Sequence, residues 1–391
     1  MITFERAFQI IMSSARELGT ERIGIDSAVN RILAEDIRSD VDMPPFNKAA
    51  MDGYACRRED LGNELTVIET IPAGIVPRHA VGPNQCAKIM TGAMVPEGAD
   101  CVVMVEFTEN PTEGTVRFVG SDTGANLCPQ GEDVRAGDVA LRQGQRIRPQ
   151  HIALLASVGC TEPPVAPRPR VAVIATGSEL VPPAAKPKMS HIRNSNSSQL
   201  CAQLADAGGI PHNYGIAGDT EDAITRALKT AAAENDVLLF SGGISMGDFD
   251  LVPGILERNG FEILVQKVAV KPGKPTLFAR STDAFCFGMP GNPVSTFVVF
   301  EVLVKPFLYK LMGHDYAPPS VLMPLGKAIS RKKTERESWI PVVLTDGGTV
   351  VPVEYHGPAH IKALCLADGL TSIPVGVAEM PEGTMVRVRP I

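Results

Sequence analysis

The sequence predicts a multidomain α/β protein in which a central, doubly wound α/β domain lies among β-rich segments. Three observations lead to this fold class. The chain has 391 residues, which is enough for two to four domains of ordinary size. Continuous apolar strands alternate with helices over residues 169–313, as in a parallel sheet covered on both faces. Before and after that stretch, short strands are separated by glycine and proline turns.

In the N-terminal part, apolar residues recur at helical spacing from Phe4 to Leu18, and this predicts the first helix. A loop rich in proline and glycine, 43–54, leads into short predicted strands that continue to about residue 148. A short apolar helix is predicted over His151–Val158. The prolines of 163–169 then form a stiff linker, which we interpret as a domain boundary.

In the central segment, Val171–Ile174 and Val237–Phe240 are runs of apolar residues and are predicted as buried strands. Helices are predicted at 199–207, 224–233, 251–258 and 294–311. The polar run 194–197 precedes the first of these helices and supplies candidate N-caps. After Gly313 the strand-like runs return, and a β-rich tail closes the chain.

Composition argues against several functional classes. The net charge is −7, so we expect no nucleic-acid partner, because nucleic-acid binders usually carry a basic stripe. The eight cysteines include no Cys-x-x-Cys pair, which argues against a zinc ribbon and favours a reducing compartment. No signal peptide is evident, and no run approaches the roughly 20 apolar residues of a membrane span. We therefore expect a cytoplasmic protein with no membrane contact.

Three loops that follow predicted strands contain the candidate binding residues. In open α/β sheets, ligands bind at the carboxyl ends of the strands. Glycines let backbone N–H groups approach an anion, and serines add hydroxyl donors. A single loop of this kind could be only a tight turn, but three on one sheet edge favour a site for phosphate or a similar oxyanion. Its predicted residues are Thr176, Gly177, Ser178, Ser241, Gly242, Gly243, Ser245, Gly247, Pro290, Gly291, Asn292, Pro293 and Ser295.

Charged residues lie close to these loops in the sequence. Lys271 and Lys274 belong to a Lys-Pro-Gly-Lys-Pro turn, which predicts a rigid cationic spot; an exposed hairpin is the alternative. Glu179, Asp219, Asp248 and Asp250 are candidate magnesium ligands, because magnesium often bridges a few carboxylates to phosphates. Each of them could instead cap a helix, and for Asp248 the cap is the favoured interpretation. Neither a P-loop nor a Gly-x-Gly-x-x-Gly motif occurs, so common nucleotide sites are not expected.

Several longer motifs follow one another along the chain. They are Pro-Pro-Phe-Asn-Lys-Ala-Ala-Met-Asp-Gly-Tyr-Ala at 44–55, Lys-Ile-Met-Thr-Gly-Ala at 88–93 and Gly-Glu-Asp at 131–133. The three glycine- and serine-bearing loops and the Lys-Pro-Gly-Lys-Pro turn come after them. Together these motifs resemble the MoeA-type molybdopterin molybdenumtransferases, a family that includes the E domain of gephyrin. The resemblance covers nearly the whole chain.

The resemblance implies four structural units and a homodimer. An elongated domain would comprise 1–26 and 147–168, with a β-rich domain, 27–146, inserted in it. An α/β molybdopterin-binding domain would occupy 169–313, and a β-barrel-like domain 314–391. The active site would lie between the α/β domain of one subunit and the inserted domain of the other. Contact with other cofactor-biosynthesis proteins is also implied.

The implied reaction is insertion of molybdate into adenylylated molybdopterin, with Mg²⁺ as cofactor and with release of AMP. The resemblance assigns residues to this reaction by motif. Catalytic roles would fall to Asp52, Asp133, Glu179, Asp250, Lys271 and Lys274, metal binding to Asp219 and Asp250, and substrate contact to Thr91 and Arg336.

The chain departs from the family pattern at 356–360, His-Gly-Pro-Ala-His, where the family usually has a serine- and glycine-rich loop whose serine helps to hold the oxyanion. Three alternative functions stay open. The first is the same reaction with a preference for tungstate. The second is a molybdopterin adenylyltransferase, which usually consists of the α/β domain alone, so residues 1–165 argue against it. The third is a non-catalytic scaffold, against which the acids and lysines argue.

Overall fold

The computed structural model describes residues 1–244, 251–354, 357 and 359–391. Its helices are α1 (Phe4–Ser14), α2 (Pro149–Ser157), α3 (Ser195–Asp206), α4 (Glu221–Glu234), α5 (Val252–Arg258), α6 (Pro293–Val299), α7 (Lys305–Leu311) and α8 (Lys362–Cys365). A π-helical turn, Phe300–Val304, makes α6 and α7 continuous. Among the residues described, no helix has the length and apolar character needed to cross a membrane.

Helix α1 is shorter than predicted. Ala15 has an extended backbone, with φ −65° and ψ 142°, and ends the helix. The N–H of Leu18 lies outside the helix and donates to the carbonyl oxygen of Leu311, 3.1 Å away. The predicted end of this helix at Leu18 was therefore wrong, because a contact with α7 takes the place of the last helical turn.

The first 168 residues contain short strands that pair around one larger sheet. These strands are β1 (Glu21–Arg22), β2 (Ile37–Arg38), β3 (Lys48–Ala49), β4 (Gly53–Cys56), β5 (Glu64–Ile71), β6 (Gln85–Ile89), β7 (Cys101–Met104), β8 (Thr108–Glu109), β9 (Thr115–Phe118), β10 (Leu127–Cys128), β11 (Val139–Leu141) and β12 (Pro164–Val165). The larger sheet has the order β7-β4-β6-β5-β9-β8. Strand β1 pairs with β12, and β2 pairs with β11. The sheet therefore lies between two stretches of chain that pair with each other.

The central domain is a six-stranded sheet with helices on both faces, so the predicted doubly wound α/β fold is confirmed. Its part of the chain contains β13 (Arg170–Thr176), β14 (Leu180–Val181), β15 (Ile192–Arg193), β16 (Ile210–Ala217), β17 (Val237–Ser241), β18 (Glu262–Val265), β19 (Val270–Lys271), β20 (Leu277–Arg280) and β21 (Phe285–Met289). The sheet order is β16-β13-β17-β21-β20-β18.

The strands of this sheet are not all parallel. Strands β16, β13, β17 and β21 run parallel, whereas β20 and β18 are antiparallel to their neighbours. Only four residues separate β20 from β21, and so short a connection joins antiparallel strands only. One face is covered by α3, α6 and α7, and the other by α4 and α5.

Helix α1 also packs on the central sheet. Its buried residues Ala7 and Ile11 belong to the same apolar core as Val171, Phe307 and Leu311. The N-terminal helix thus lies with the α/β core, although the resemblance assigned residues 1–26 to the elongated domain. The division into four domains stays a prediction.

The C-terminal part contains a third six-stranded sheet, with the order β19-β24-β26-β28-β22, and β25 pairs with β24. This part of the chain contains β22 (Val321–Pro324), β23 (Ile329–Ser330), β24 (Glu337–Leu344), β25 (Val350–Pro352), β26 (Gly369–Ile373), β27 (Glu379–Met380) and β28 (Met385–Pro390). Strands β23 and β27 pair with each other in a separate two-stranded sheet. Strand β19 comes from the central segment, and its Lys271 pairs with Ser338. The Lys-Pro-Gly-Lys-Pro turn therefore connects the two sheets.

Candidate active site

The carboxyl ends of β13, β17 and β21 meet at one edge of the central sheet. The chain passes from β13 to β16 on one side and then crosses to β17 on the other side, so the strand order reverses between β13 and β17. Doubly wound sheets bind ligands at such a switch point. A cavity of about 360 Å³ lies there, which is within the usual size range for a small-molecule site.

The cavity brings together residues from all three predicted loops. The predicted residues in its wall are Thr176, Glu179, Ser241, Gly242, Gly291, Asn292 and Pro293. Ala359 and Ile361, from the C-terminal part of the chain, complete the wall. The segment that departs from the family pattern therefore reaches this cavity through Ala359. Of the other predicted residues, Ser245, Gly247, Asp248 and Asp250 lie outside the described part of the chain, as do His356 and Pro358 of the departing segment.

The loops after β13 and β17 are in close contact, and this explains two glycines. Gly242 and Gly243 have φ values of +97° and +65°, a region that side chains disfavour. A Cβ added at Gly242 would lie 2.5 Å from the carbonyl oxygen of Thr176. A Cβ added at Gly243 would lie 2.7 Å from the Thr176 hydroxyl. These glycines therefore let two loops approach each other at the wall of the cavity.

Asn196, in the first turn of α3, connects two of the loops. Its side-chain amide donates to Ser241 Oγ and to the carbonyl oxygen of Gly291, at 2.8 Å each. The residue is only 8% exposed. Its Oδ1 and the buried hydroxyl of Thr176 have no hydrogen-bond partner among the described residues. Buried polar atoms are rarely left unpaired, so this cavity wall has unused hydrogen-bonding capacity.

Sequence reasoning missed Asn196 and the neighbouring Arg193, both of which line the cavity. The run 194–197 was interpreted only as a source of helix caps. That interpretation is correct for Asn194, whose Oδ1 accepts from the N–H of Ser197 at 3.1 Å. In the sequence, Asn196 looks like one more polar residue at a helix start, and only the fold shows that it is buried between two loops.

The loop N–H groups were predicted to be available to a bound anion, but two of them are not. The N–H of Ser178 donates to Asp219 Oδ2 at 2.6 Å, and the N–H of Gly242 donates to the carbonyl oxygen of Met289 at 3.2 Å. Both donors are thus already paired within the protein. The bond from Ser178 brings the Asp219 carboxylate beside the loop that carries Glu179.

The loop after β21 is fixed from behind by the first turn of α6. The hydroxyl of Thr296 donates to the carbonyl oxygen of Pro290 at 2.6 Å, and its N–H donates to that of Asn292 at 3.0 Å. Ser295 is buried and is not part of the cavity wall. The backbone of this loop is therefore rigid where it reaches the cavity.

The predicted cationic spot also includes Arg336. Lys271 and Lys274 are exposed, and neither takes part in an ion pair among the residues described. Arg336 Nη1 donates to the carbonyl oxygen of Val270 at 3.4 Å, so Arg336 lies beside Lys271. A Cβ added at Gly273, in the same turn, would lie 3.9 Å from the carbonyl oxygen of Ser295. The turn thus packs on α6, next to the loop after β21.

On the inserted sheet, Asp52 and Thr91 form a local pair. Asp52 Oδ1 accepts from the N–H of Thr91 at 2.6 Å and from its hydroxyl at 2.7 Å. These two bonds lower the pKa of the Asp52 carboxyl, because they stabilise the charged form. Both residues are exposed. Asp133 lines a different cavity, of about 640 Å³, together with Lys48.

The two groups of predicted residues are separate within one chain. Among the described residues, no hydrogen bond or ion pair joins 41–135 to 170–310. The cavity beside Asp133 and the cavity at the sheet edge have no lining residue in common. Asp52 and Thr91 thus belong to a surface distinct from the α/β cavity.

The chain matches known proteins along nearly its whole length. Residues 2–159 match the MoeA N-terminal region (domain I and II), 172–310 match a probable molybdopterin binding domain, and 324–391 match the MoeA C-terminal region (domain IV). A molybdopterin molybdenumtransferase from Staphylococcus epidermidis is 35% identical over 407 residues, covering 99% of this chain and 95% of that protein. One from Bacillus subtilis is 38% identical over 318 residues, covering 78% of this chain and 74% of that protein.

A solved structure resembles the fold over its full length. The crystal structure of the molybdopterin biosynthesis moeA protein from Pyrococcus horikoshii OT3 superposes with a TM-score of 0.87. The two chains are 30% identical, and the match covers 100% of each. Both the sequence and the fold therefore agree with the resemblance seen in the motifs. This chain belongs to the molybdopterin molybdenumtransferase family and is an enzyme of molybdenum cofactor biosynthesis.

Proposed function

We propose that this chain inserts molybdate into adenylylated molybdopterin and releases AMP, and that it acts as a homodimer. The observation that carries this proposal is the cavity at the carboxyl ends of β13, β17 and β21. It combines unpaired buried polar atoms with a nearby carboxylate, and an exposed cationic turn packs next to one of its loops. A pterin that bears phosphate needs this combination, because it presents N–H donors and negative charge together.

The unpaired acceptors would orient the substrate. Asn196 Oδ1 and Thr176 Oγ1 lie in a buried wall where water has little access, so a ligand N–H that reaches them gains a full hydrogen bond. Ser241 and Gly291 hold Asn196 in place. The acceptors would therefore be positioned before the substrate arrives, which lowers the entropic cost of binding.

Molybdate is a substrate dianion and needs cationic partners. Lys271, Lys274 and Arg336 would supply them, since charge-assisted hydrogen bonds to oxyanions are the stronger kind. Neither lysine is in an ion pair with a described carboxylate. Within the described part of the chain, the side chain of Arg336 makes only a long bond to a main-chain oxygen. Their charge is therefore available to a bound oxyanion.

Magnesium would be held by Glu179 and Asp219. Among the described residues, no cluster of three His, Cys, Asp or Glu side chains could hold a metal. Magnesium needs fewer protein ligands than that, because phosphate oxygens and water complete its coordination. Asp219 fits this role, since among the described residues only its Oδ2 accepts a hydrogen bond, from the N–H of Ser178. When bound, the ion would polarise the phosphate that leaves with AMP. Asp250, also assigned to this role by motif, lies outside the described residues.

The homodimer follows from the separation of the two groups of residues. Asp52 and Thr91 are exposed, and Asp52 is held as a carboxylate by two hydrogen bonds. Within one chain, nothing described connects them to the α/β cavity. A second subunit would bring this exposed carboxylate to the cavity, where it could position the attacking oxyanion.

The direct test is turnover of adenylylated molybdopterin by the purified chain. We expect AMP release to require both molybdate and magnesium, with one molybdenum retained for each AMP released. Chromatography measures the nucleotide, and elemental analysis measures the metal. The substitution Asp219→Asn should reduce turnover at limiting magnesium, whereas Asp222→Asn, at an exposed position two residues into α4, should not. Substrate binding without AMP release under these conditions would refute the proposal, and competitive loading with tungstate measures the metal preference.

A further inference from the structure

A second polar cavity, of about 520 Å³, lies between the start of α2 and the segment that follows α7. It has no lining residue in common with the candidate active site. Four of its side chains are basic or can become so: Arg146, Arg148, His151 and His314. No carboxylate lines it. In a protein whose net charge is −7, this is a local concentration of positive charge.

The basic side chains of this cavity are not held in ion pairs. Among the described residues, none of the four basic side chains takes part in an ion pair. The nearest acid in sequence, Asp315, bonds to Lys310 at 2.7 Å, and its side chain is 90% exposed. Arg146 Nη2 donates to a neutral amide oxygen, Asn30 Oδ1, at 2.9 Å.

In another cavity, near the start of β13, arginines are paired with acids of the same chain. It too is rich in arginine, but Arg31 there pairs with Glu21, and Arg170 pairs with Asp236 at 3.2 Å. Two of its three arginines are therefore neutralised by acids within the protein, and only Arg168 has no ion pair among the described residues. The cavity at α2 lacks such acids, so an anion that enters it meets unneutralised positive charge.

The two imidazoles are held in place by main-chain contacts. His314 Nδ1 lies 2.7 Å from the carbonyl oxygen of Gly144, and His151 Nδ1 lies 3.2 Å from the N–H of Arg148. The Nε2 atoms of both rings lie outside these bonds. Arg148 is also the N-cap residue of α2, where the helix dipole favours negative charge. The helix end and the two arginines thus favour an anion, as do the imidazoles in their protonated form.

We propose that this cavity binds a phosphate group carried by a small molecule. A phosphate dianion has three oxygens that accept hydrogen bonds, and arginine is well suited to pair with it. The cavity is larger than one phosphate needs. A wall formed by the stacked rings of Tyr309 and Tyr316, whose centroids are 4.6 Å apart, leaves room for the body of an ester. This site is independent of the proposed reaction.

Calorimetric titration of the full chain with inorganic phosphate and with ribose 5-phosphate tests the proposal. The titrations use the Lys271→Ala/Lys274→Ala protein at constant ionic strength, so that oxyanion binding at the candidate active site does not contribute. We expect saturable binding of both probes, with the ester binding more tightly. Equal affinity for the two probes would identify free phosphate as the ligand and would overturn the assignment to an ester.

Matched variants locate the bound phosphate. Arg148→Gln removes one charge-assisted contact and should weaken binding of the phosphate probes by about tenfold or more. Arg142→Gln removes the same charge at an exposed position outside the cavity wall and should change affinity less than about twofold. His314→Gln gives a second variant if Arg148→Gln does not fold, as judged by its melting temperature.

Three results would overturn the proposal. Equal losses in Arg148→Gln and Arg142→Gln would show that only the overall charge matters. The absence of saturable binding in the Lys271→Ala/Lys274→Ala protein, with the cavity residues unchanged, would show that the cavity is not a phosphate site. Tighter binding of a short glutamate peptide than of either phosphate probe, with the same dependence on Arg148, would assign the cavity to an acidic protein segment instead.

Discussion

The two halves of the candidate active site are built in opposite ways. In the α/β half, Thr176, Asn196 and Ser241 are buried, with exposures of 3%, 8% and 3%. Their positions are fixed by close contact between loops. In the inserted half, Asp52 and Thr91 are exposed and are oriented mainly by each other. Burial fixes the first half within one chain, whereas the second half is a surface that something else must cover.

This difference indicates where mutations act. In the buried half, a change in one side chain disturbs the loops and should lower both stability and activity, because unpaired or crowded groups there are not solvated. In the exposed half, a change should alter charge and chemistry with little effect on folding. Three substitutions test this contrast, from the largest expected effect on stability to the smallest.

Gly242→Ala should have the largest effect. The added Cβ would lie 2.5 Å from a main-chain oxygen, that of Thr176, in a residue with φ +97°. We expect the free energy of unfolding to fall by about 2–4 kcal/mol, through strain in a buried loop. Urea denaturation measures it. Gly291→Ala is the control, since its Cβ meets no atom within 4 Å. An equal loss in both variants would show that loop contact does not explain Gly242.

Asn196→Leu should have an intermediate effect. It removes both hydrogen bonds to the neighbouring loops and leaves Ser241 Oγ and the Gly291 carbonyl unpaired. We expect a loss of about 1–3 kcal/mol in the free energy of unfolding and a raised KM for adenylylated molybdopterin. Asn194→Ser, two residues earlier, keeps a side-chain oxygen that can cap the helix, and it should lose less stability than Asn196→Leu. Unchanged KM in a folded Asn196→Leu protein would exclude substrate contact.

Thr91→Val should change stability least. The pKa of Asp52 is held below its usual value, first by the N–H of Thr91 and then by its hydroxyl. A group with a lowered folded pKa contributes stability above its unfolded pKa, and loses it as pH falls through the folded value. Removing the hydroxyl should therefore raise the pKa of Asp52 and shift the acidic limb of the activity profile to higher pH. Carbon NMR of the carboxyl, titrated with acid, measures this.

Thr115→Val is the matched control for that experiment. The hydroxyl of Thr115 donates to Glu64 at 2.7 Å, and this bond is the main cause of the lowered pKa of Glu64. The variant should raise the pKa of Glu64 and leave both Asp52 and the activity profile unchanged. A shift of the profile in Thr115→Val, or no shift in Thr91→Val, would contradict a catalytic role for the Asp52 charge.

The buried strands and the glycine loops of the α/β half could be predicted from the sequence. Apolar runs such as Val237–Phe240 define buried strands, and the parallel sheet then brings their ends to one edge. The hydrogen-bond partner of each polar group at that edge could not be predicted. The Ser178 amide bonds to Asp219, and Asn196 connects two loops, because of contacts between residues far apart in the chain.

Contacts between distant segments also explain the other differences. Leu18 was predicted to be helical, but its N–H bonds to Leu311. Lys271 was predicted to lie next to the α/β sheet, and it does, but through β19 it also pairs with the C-terminal sheet. Local pattern determines the type of element, whereas long-range pairing determines where an element ends and what it contacts.

The central claim is that the two halves act together across a subunit interface. Mixing Asp52→Asn subunits with Glu179→Gln subunits tests it most directly, after mass spectrometry has shown that subunits exchange. In a mixed dimer, one site would have both changes and the other would have neither. The account predicts that two inactive proteins recover about a quarter of parental AMP release at random exchange, as expected for an isologous dimer. No recovery, despite proven exchange, would contradict it and place both halves of the site in one chain.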